Sequence, residues 1–278
     1  DPKIHGSTVT QKELGLDLRF FNDRLGISGT DWTGSEIGIP FSIGVNGASG
    51  VNSLLTNFGD VEKRGFDINI NAYPVRIPNF SWQVTLAYSN LLEDKVVEIS
   101  NKYNVQQIVV ANNAFTNVPF LVQKAGYAWG QIFGAGILRN AAGVPILDAD
   151  GFYQRNPSVY YGSALPKHTG GIQNTFNLFK DFSLNVNIDY QFGGKFASLT
   201  DAFGAFSGTT ERTGALNDKG NPVRDAVADG GGVHQVGVDK DGKPVSTYVS
   251  AYDYYHNNFN NGTEDEFVYD LTFIKMRE

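Results

Sequence analysis

The feature that most limits the fold is a strict alternation of apolar and polar residues, repeated in separate blocks of eight to eleven positions. The run Phe182–Phe192 carries Phe, Leu, Val, Ile or Tyr at every even position and Ser, Asn, Asp or Gln between them. Residues 14–20, 66–72 and 80–89 follow the same pattern. A period of two is that of a β-strand with one apolar and one polar face. The chain is therefore predicted to be all-β and antiparallel.

The length of these blocks favours strands that cross a membrane. Strands of soluble sheets average roughly five or six residues, whereas membrane-spanning strands need about nine to eleven. The polar faces are nearly free of apolar residues and aromatic residues gather near the strand ends, as expected for a barrel with a wet lumen and aromatic girdles. The residues expected to line the lumen are Asp17, Arg19, Asp67, Asn69, Gln83, Asn185 and Asp189. A large soluble sandwich with one solvated face stays open as the alternative.

Composition narrows the classes of function. With 29 acidic and 22 basic residues the net charge is -7, which disfavours nucleic acid as a partner. The absence of Cys excludes disulfides and thiolate chemistry, and four scattered His argue against a His-based metal centre. The sequence contains no apolar run of about 18 residues, so no membrane helix is predicted.

Short turns alternate with long connections, as in an outer-membrane barrel with periplasmic turns and extracellular loops. Turns are predicted at 22–23, 74–78 and 180–181, and long connections at 33–64, 91–119, 138–168 and 193–266. Parity requires an even number of strands between residues 91 and 168, and we place two weak ones there. The nine predicted strands cover 12–21, 24–32, 65–73, 80–90, 120–127, 128–137, 169–179, 182–192 and 267–277. Because bacterial barrels have even strand numbers, these nine are expected to be part of a larger barrel.

Short Gly- and aromatic-containing segments recur along nearly the whole chain. They are Glu13–Asp17, Phe20–Leu25, Asn57–Phe66, Gly126–Gly134, Pro166–Gly171, Asn174–Phe176 and Val268–Glu278. In order and spacing they resemble the C-terminal portion of the SusC-like (RagA-like) TonB-dependent outer-membrane transporters.

The resemblance implies a 22-stranded barrel in the outer membrane of a Gram-negative bacterium, in contact with lipid and closed from inside by an N-terminal plug. It also implies a SusD-like surface lipoprotein as a lid and energy from the TonB complex. Residues 1–278 would be the C-terminal part of the barrel. We expect the chain to continue at both ends, since it contains neither plug, TonB box nor terminal aromatic strand.

The function implied by the resemblance is import of a large nutrient, an oligosaccharide or an oligopeptide, without enzymatic activity. Two other interpretations stay open: a soluble secreted β-sandwich that binds glycans, and a secreted glycan-degrading β enzyme. The enzyme would need paired carboxylates. Glu264, Asp265 and Glu266 form an acidic cluster, although a solvated loop edge is the favoured explanation. The four His show no Ser or Asp partner that spacing could reveal, so no catalytic residues are predicted.

Two D-x-D-G motifs, at Asp148 and Asp150 and at Asp239 and Asp241, begin as calcium loops do. Neither has the Glu that such a loop needs at its twelfth position. A hairpin tip, in which Asp and Gly tolerate positive φ, is the simpler interpretation. Loop calcium stays open, and no other cofactor is expected.

The candidate substrate contacts are aromatic and amide side chains of the long connections, because flat rings stack on sugars and amides hydrogen-bond hydroxyl groups. They are Tyr252, Tyr254, Tyr255, His256 and Asn257, together with Tyr160 and Tyr161 in another connection. Packing of the loops against the barrel rim or a partner protein is the alternative role.

Overall fold

The computed structural model describes residues 4–57, 59–99, 105, 107–112, 119–179, 181–260 and 265–277. The strands are β1 Thr8–Phe20, β2 Leu25–Ile37, β3 Pro40–Gly44, β4 Ser53–Asn57, β5 Asp60–Ile77, β6 Phe80–Glu98, β7 Gln107–Asn112, β8 Pro119–Lys124, β9 Gln131–Ile137, β10 Arg155–Ser163, β11 His168–Leu178, β12 Phe182–Phe192, β13 Lys195–Ala197, β14 Val233–Val238, β15 Pro244–Val249, β16 Val268–Asp270 and β17 Phe273–Met276. The helices are α1 Leu199–Phe206 and α2 Ala251–Asn260. None of the helices described is long and apolar enough to cross a membrane.

The largest unit is a seven-stranded antiparallel sheet in the order β1-β2-β5-β6-β11-β12-β17, which we call the wall. Within the described ranges the wall is open, because β1 and β17 each pair with one neighbour. Its tight turns lie at one end of the sheet. The turn predicted at 22–23 is present, with positive φ at Phe21, Asn22 and Asp23 (56°, 53° and 63°). Asn and Asp adopt this conformation more readily than most residues.

The turn predicted at 74–78 lies further along the chain. Strand β5 continues to Ile77, and the turn falls at residues 78–79. Between the pairs Ala72–Val84 and Val75–Trp82 the register shifts by one residue, which places Pro74 in a β-bulge. A bulge tolerates Pro because its N–H is not required by the ladder, so this Pro kinks the strand without ending it.

The register gives the wall two chemically different faces. One row across all seven strands is entirely aliphatic or Met: Leu18, Ile27, Ile70, Leu86, Ile172, Ile188 and Met276. The adjacent row on the opposite face contains polar and small residues: Asp17, Ser28, Asn69, Ala87, Gly171, Asp189 and Lys275. Trp82 and Phe80 both stack on Phe176 at the turn end of the apolar face. Both rows lie in a favourable environment if the aliphatic face contacts lipid and the polar face contacts water.

The two clusters of buried apolar side chains found in the described residues belong chiefly to the long connections. One contains Ile99 and Ile108, and also Val96 at the loop end of β6. The other surrounds Tyr254 and Phe267. Among the described residues, therefore, no buried apolar cluster covers the aliphatic row of the wall. Its apolar face must be covered by something other than these residues.

The prediction of nine wall strands is corrected to seven among the described residues. Strand β6 pairs directly with β11, from Asn90–His168 to Phe80–Leu178. The strands predicted at 120–127 and 128–137 exist as β8 and β9, but they form a separate sheet in the order β10-β9-β8-β7. At six and seven residues they are too short to span a bilayer. The requirement for an even number of wall strands between residues 91 and 168 is still met, because none of the described strands between β6 and β11 belongs to the wall.

Three lobes emerge from the end of the wall opposite the turns. The first is the β3–β4 hairpin. The second, here called the sheet lobe, spans 99–167 and joins β6 through Gly126 N–H to Val96 O (2.8 Å) and Val96 N–H to Tyr127 O (2.9 Å). The third, the helical lobe, spans 193–272 and contains both helices and the pairs β13–β16 and β14–β15.

Candidate functional site

The helical lobe is organised around one guanidinium group. Arg212 donates to Asp201 of α1, to the Tyr269 hydroxyl (2.9 Å) and to Glu266 Oε2 (3.4 Å). The Tyr254 hydroxyl donates to the other oxygen of Glu266, and Tyr269 donates to Asp201. One cation thus joins α1, α2 and the segment that leads to β17. Charge-assisted hydrogen bonds of this kind are stronger than those between neutral groups.

Two of the predicted substrate contacts belong to this interior. Tyr254 and Tyr255 are each 7% exposed, and the Tyr255 hydroxyl donates to Arg212 O (3.1 Å). Burial, with the Glu266 carboxylate nearby, raises the pKa of Tyr255 to about 12 and raises that of Tyr254 as well. Both hydroxyls therefore stay protonated and act as structural donors. The assignment of Tyr254 to substrate contact is replaced by this packing role.

Two other predicted residues of α2, Tyr252 and His256, line an open groove of about 570 Å³ between the two helices. Its lining includes Phe206, Arg224, Tyr252, Tyr255 and His256. Tyr252 is 69% exposed and stacks on His256, with ring centroids 3.9 Å apart, and Phe206 lies 4.2 Å from the same imidazole. The volume is within the range of about 300–1,000 Å³ usual for ligand sites. Asn257 does not line the groove.

Arg224 gives the groove a polar wall. Its Nε donates to Thr213 O (2.7 Å) and its Nη2 to Thr213 Oγ1 (3.0 Å). Asp225 and Ser250 add acceptors to the lining. Stacked rings beside fixed polar groups can bind a ligand that has both an apolar face and hydrogen-bonding groups.

The sheet lobe carries a second aromatic cluster, here called the platform. It consists of Lys124, Tyr127, Phe133 and Tyr160. Ring centroids lie 5.6 Å apart for Tyr127 and Tyr160, and 5.3 Å apart for Phe133 and Tyr160. Burial raises the pKa of Tyr160, so its hydroxyl is protonated. Of the two tyrosines predicted in this connection, Tyr160 lies in this ring cluster and is 46% exposed.

Tyr161 and the acidic cluster have structural roles in the described residues. The Tyr161 hydroxyl donates to Ala135 O and to Asp265 Oδ2, both at 3.0 Å, and Ile137 N–H donates to the same Asp265 oxygen (2.7 Å). Asp265 thus fastens the helical lobe to the sheet lobe, while Glu266 accepts from Arg212. Glu264 lies outside the described residues.

His234 has partners that the sequence spacing did not reveal. Its Nδ1 lies 2.8 Å from Asp218 Oδ2 and its Nε2 lies 2.8 Å from Ser246 Oγ. The Tyr248 ring stacks on the imidazole, and its hydroxyl donates to Asp218 (2.5 Å), which raises the pKa of Tyr248 to about 12. These contacts join two hairpins at an exposed surface away from the groove.

The D-x-D-G motifs are hairpin tips. Asp148 Oδ1 accepts from the N–H groups of residues 150 and 152 (3.0 and 2.9 Å), and Asp239 Oδ1 accepts from those of residues 241 and 243 (2.8 and 2.9 Å). Gly151 and Gly242 have positive φ, 85° and 81°. Asn140 and Asn217 form the same turn, although their tips lack the D-x-D pattern. No group of three metal-ligating side chains occurs in the described ranges.

Substitution of Asp239 distinguishes a role of this tip in turn formation from a role in calcium binding. The N–H of Lys243 is the main cause that lowers the pKa of Asp239, so the ionised acceptor is part of the turn. We expect Asp239→Asn to keep the β14–β15 hairpin and Asp239→Ala to weaken it, since two N–H groups lose their acceptor. Protease resistance of the hairpin, with and without calcium, measures this. If calcium protects the hairpin of the unaltered protein and no longer protects that of Asp239→Asn, the turn assignment is contradicted.

The residues expected to line a lumen all lie on the polar face of the wall. They are Asp17, Arg19, Asp67, Asn69, Gln83, Asn185 and Asp189. Hydrogen bonds link neighbours along this face, such as Arg277 to Asp189 (2.8 Å) and Thr175 to Asn185 (2.9 Å).

Sequence reasoning missed Phe206 and Arg224, because it placed no helix in the connection 193–266. One signal was available. Ser198 caps α1, with its Oγ accepting from Asp201 N–H (3.1 Å), and Ser followed three residues later by an acidic residue is an N-terminal helix signature.

Comparison with known proteins gives the chain its relatives. No family model matches it. TonB-dependent receptor P26 of Formosa agariphila is 24% identical over 213 residues, which cover 69% of this chain and 20% of that protein. TonB-dependent receptor P39 of the same organism is 27% identical over 94 residues, 34% of this chain and 9% of that protein. The chain spans about a fifth of the length of receptor P26.

The fold has close counterparts among solved structures. The RagAB peptide importer in its closed-closed state aligns with a TM-score of 0.65 and 12% identity, over 100% of this chain and 29% of the matched chain. The RagAB peptide transporter aligns with a TM-score of 0.60 over 97% of this chain and 28% of the other. At this identity the likeness establishes the fold.

The relatives found by sequence are named as TonB-dependent receptors, and the structures that share the fold are those of a peptide transporter. Both matches agree with the predicted outer-membrane location and with the predicted non-enzymatic role. They favour these over the soluble sandwich and the glycan-degrading enzyme. Sequence similarity to TonB-dependent receptors and a fold shared with RagA together confirm the predicted resemblance.

Proposed function

We propose that the whole protein imports a large polar nutrient across the outer membrane, with energy from the TonB complex and with a SusD-like lipoprotein as its lid. The observation that carries the proposal is the two-faced wall, whose fold aligns with RagA along the whole chain. Residues 1–278 would supply part of a 22-stranded barrel around a plug. The RagAB structures support the lid, since there a RagA chain works in complex with RagB.

Each surface then has one task. The row that contains Ile172 faces lipid, and the row that contains Asp189 lines the lumen and contacts the plug and the passing nutrient. The lobes at the far end of the wall from the turns face the exterior. The groove of the helical lobe, with Tyr252 and His256 exposed, is where a nutrient first binds. Closure by the lid and movement of the plug by TonB follow.

The favoured nutrient is an oligosaccharide, because stacked rings beside Arg224 and Asp225 suit a ligand with flat apolar faces and many hydroxyl groups. The second candidate is an oligopeptide. The specific observation in its favour is that the structures this fold aligns with are those of a peptide importer.

Replacing Tyr252 or His256 by Ala is expected to weaken nutrient binding about three- to tenfold, the effect of losing one aromatic contact. The full-length receptor is tested by calorimetry against a panel of oligosaccharides and oligopeptides, and uptake is followed in cells with and without TonB. The control is Leu216→Ala, which removes an exposed apolar side chain of the same lobe outside the groove.

Two results would count against the proposal in different ways. Uptake that persists at full rate without TonB contradicts active import. Wild-type affinity in both the Tyr252→Ala and His256→Ala receptors removes the groove from the binding site and leaves the transport role intact.

A further inference from the structure

The platform of the sheet lobe is built from three neighbouring strands. Tyr160 of β10 is the register partner of Phe133 of β9, Lys124 is the last residue of β8, and Tyr127 follows in the next turn. The Gln123 side chain fixes that turn by accepting from Gly130 N–H (2.9 Å). The rings therefore run across the strands as one surface, held by backbone pairing on one side and a buried amide on the other.

Lys124 gives this surface a positive charge that no described carboxylate neutralises. Its ammonium lies 4.9 Å from the Tyr127 ring centroid and 5.3 Å from that of Phe133. The ion pairs found among the described residues use other cations, such as Lys195 with Asp270. Two ring faces hold the ammonium in place by cation–π attraction. In a chain of net charge -7, a positioned cation without an acidic partner is suited to bind an external anion.

The rings beside the ammonium are accessible. Tyr127 is 37% exposed and Tyr160 is 46% exposed, so each presents part of a flat face and a hydroxyl to solvent. Behind them Gln131 is fully buried, and its Oε1 has no hydrogen-bond partner in the described part of the chain. Polar and apolar groups thus converge around the ammonium. Such a surface fits a ligand that has a flat apolar face and an anion on the same small unit.

The rings of the platform run across the strands, and this direction favours a stacked ligand over an extended peptide. An extended peptide would add to the free edge of β10, which pairs with β9 on its other side. Lys124 lies two strands from that edge, about 10 Å away at the usual strand spacing. A ligand stacked across the strands, in contrast, contacts Tyr160 and Lys124 together. A pyranose ring has the required C–H face, and in a uronic acid its carboxylate is attached to the same ring.

We propose that the platform is a binding site for a uronic acid residue of an acidic oligosaccharide, with Lys124 on the carboxylate and Tyr127 and Tyr160 against the sugar. This proposal rests on the proposed import function and names a substrate class for it. It places a second contact site on the sheet lobe, apart from the groove of the helical lobe.

The test uses the full-length receptor and two matched probes, a galacturonic acid oligomer and the same oligomer with its carboxyl groups reduced to alcohols. We expect the acid to bind at least tenfold more tightly at low salt, and we expect Lys124→Gln to remove that difference. Tyr160→Ala should weaken both probes. The control Lys240→Gln removes an exposed charge at the tip between β14 and β15 and should change neither affinity.

Each of these results would overturn the proposal: equal affinity for the two probes, an unchanged preference in Lys124→Gln, or Lys124-dependent binding of acidic peptides with no binding of the oligomer. Hydrogen exchange of β8, β9 and β10 shows that the sheet lobe of each variant is folded, so a loss of binding is not a loss of structure. A receptor that binds neither probe but takes up another nutrient in a TonB-dependent way would also overturn the uronic acid site. That result would leave the proposed import function intact.

Discussion

Replacement of Ile172 by Arg is expected to remove most of the folded receptor from the outer membrane. Ile172 lies in the middle of the aliphatic row, paired with Leu86 on one side and Ile188 on the other. An Arg at the lipid-facing midplane of a barrel costs about 2–4 kcal/mol. The ratio of folded to unfolded receptor should fall about 30- to 1,000-fold, measured in detergent or liposomes from the heat-modifiable band on gels.

The matched control is the next residue of the same strand. Gln173 lies on the polar face beside Thr85 and Asn187, so Gln173→Arg places the same charge beside water. It should leave the folded fraction close to wild type. Equal losses in the two variants would show that the two faces of the wall do not differ in their surroundings, and would contradict the membrane orientation.

Removal of the Arg212 guanidinium is expected to loosen the whole helical lobe while the wall stays folded. In Arg212→Met the aliphatic stem is retained, but Asp201 and Glu266 lose their shared cation. Lost hydrogen bonds to charged groups cost about 1.5–3 kcal/mol, so opening of the lobe should become about 10- to 150-fold more frequent. Hydrogen exchange of α1 and α2 measures this, with the strands of the wall as the internal reference.

A second substitution tests the cause. If repulsion between unpaired carboxylates opens the lobe, Glu266→Gln in the Arg212→Met background should restore part of the protection. Glu266→Gln alone should have a smaller effect than Arg212→Met, because Arg212 keeps Asp201 and Tyr269. Protection that is unchanged in Arg212→Met would show that the lobe is held by its apolar core alone.

The wall strands could be predicted because their signal is local. In Phe182–Phe192 each residue shows its face through its own polarity, and the neighbouring strand is reached through a turn of two or three residues. The pairing of β6 with β11 has no such signal, since residues 99–167 separate the two strands. Alternation in β8 and β9 indicates strands but does not say which sheet they join. Length was the available criterion, because neither strand is long enough to span a bilayer.

The site was predicted less well, because its geometry depends on a helix that the pattern did not reveal. Tyr252 and His256 are four residues apart and share one face of α2, whereas Tyr254 and Tyr255 point into the core. If residues 252–256 are taken as a strand or a loop, the sequence does not show which of their side chains are exposed and which are buried. The partners of His234 were out of reach for the same reason, since Asp218 and Ser246 come from separate hairpins.

The direct contact between β6 and β11 also bears on how such receptors diversify. Because β6 pairs directly with β11, residues 99–167 can be lengthened, replaced or exchanged between relatives without changing the number of strands in the wall. Under the import function that we propose, selection on nutrient recognition and selection on membrane insertion act on separate stretches of the gene. A chimera that carries this lobe from another receptor should insert normally and inherit the donor's preference.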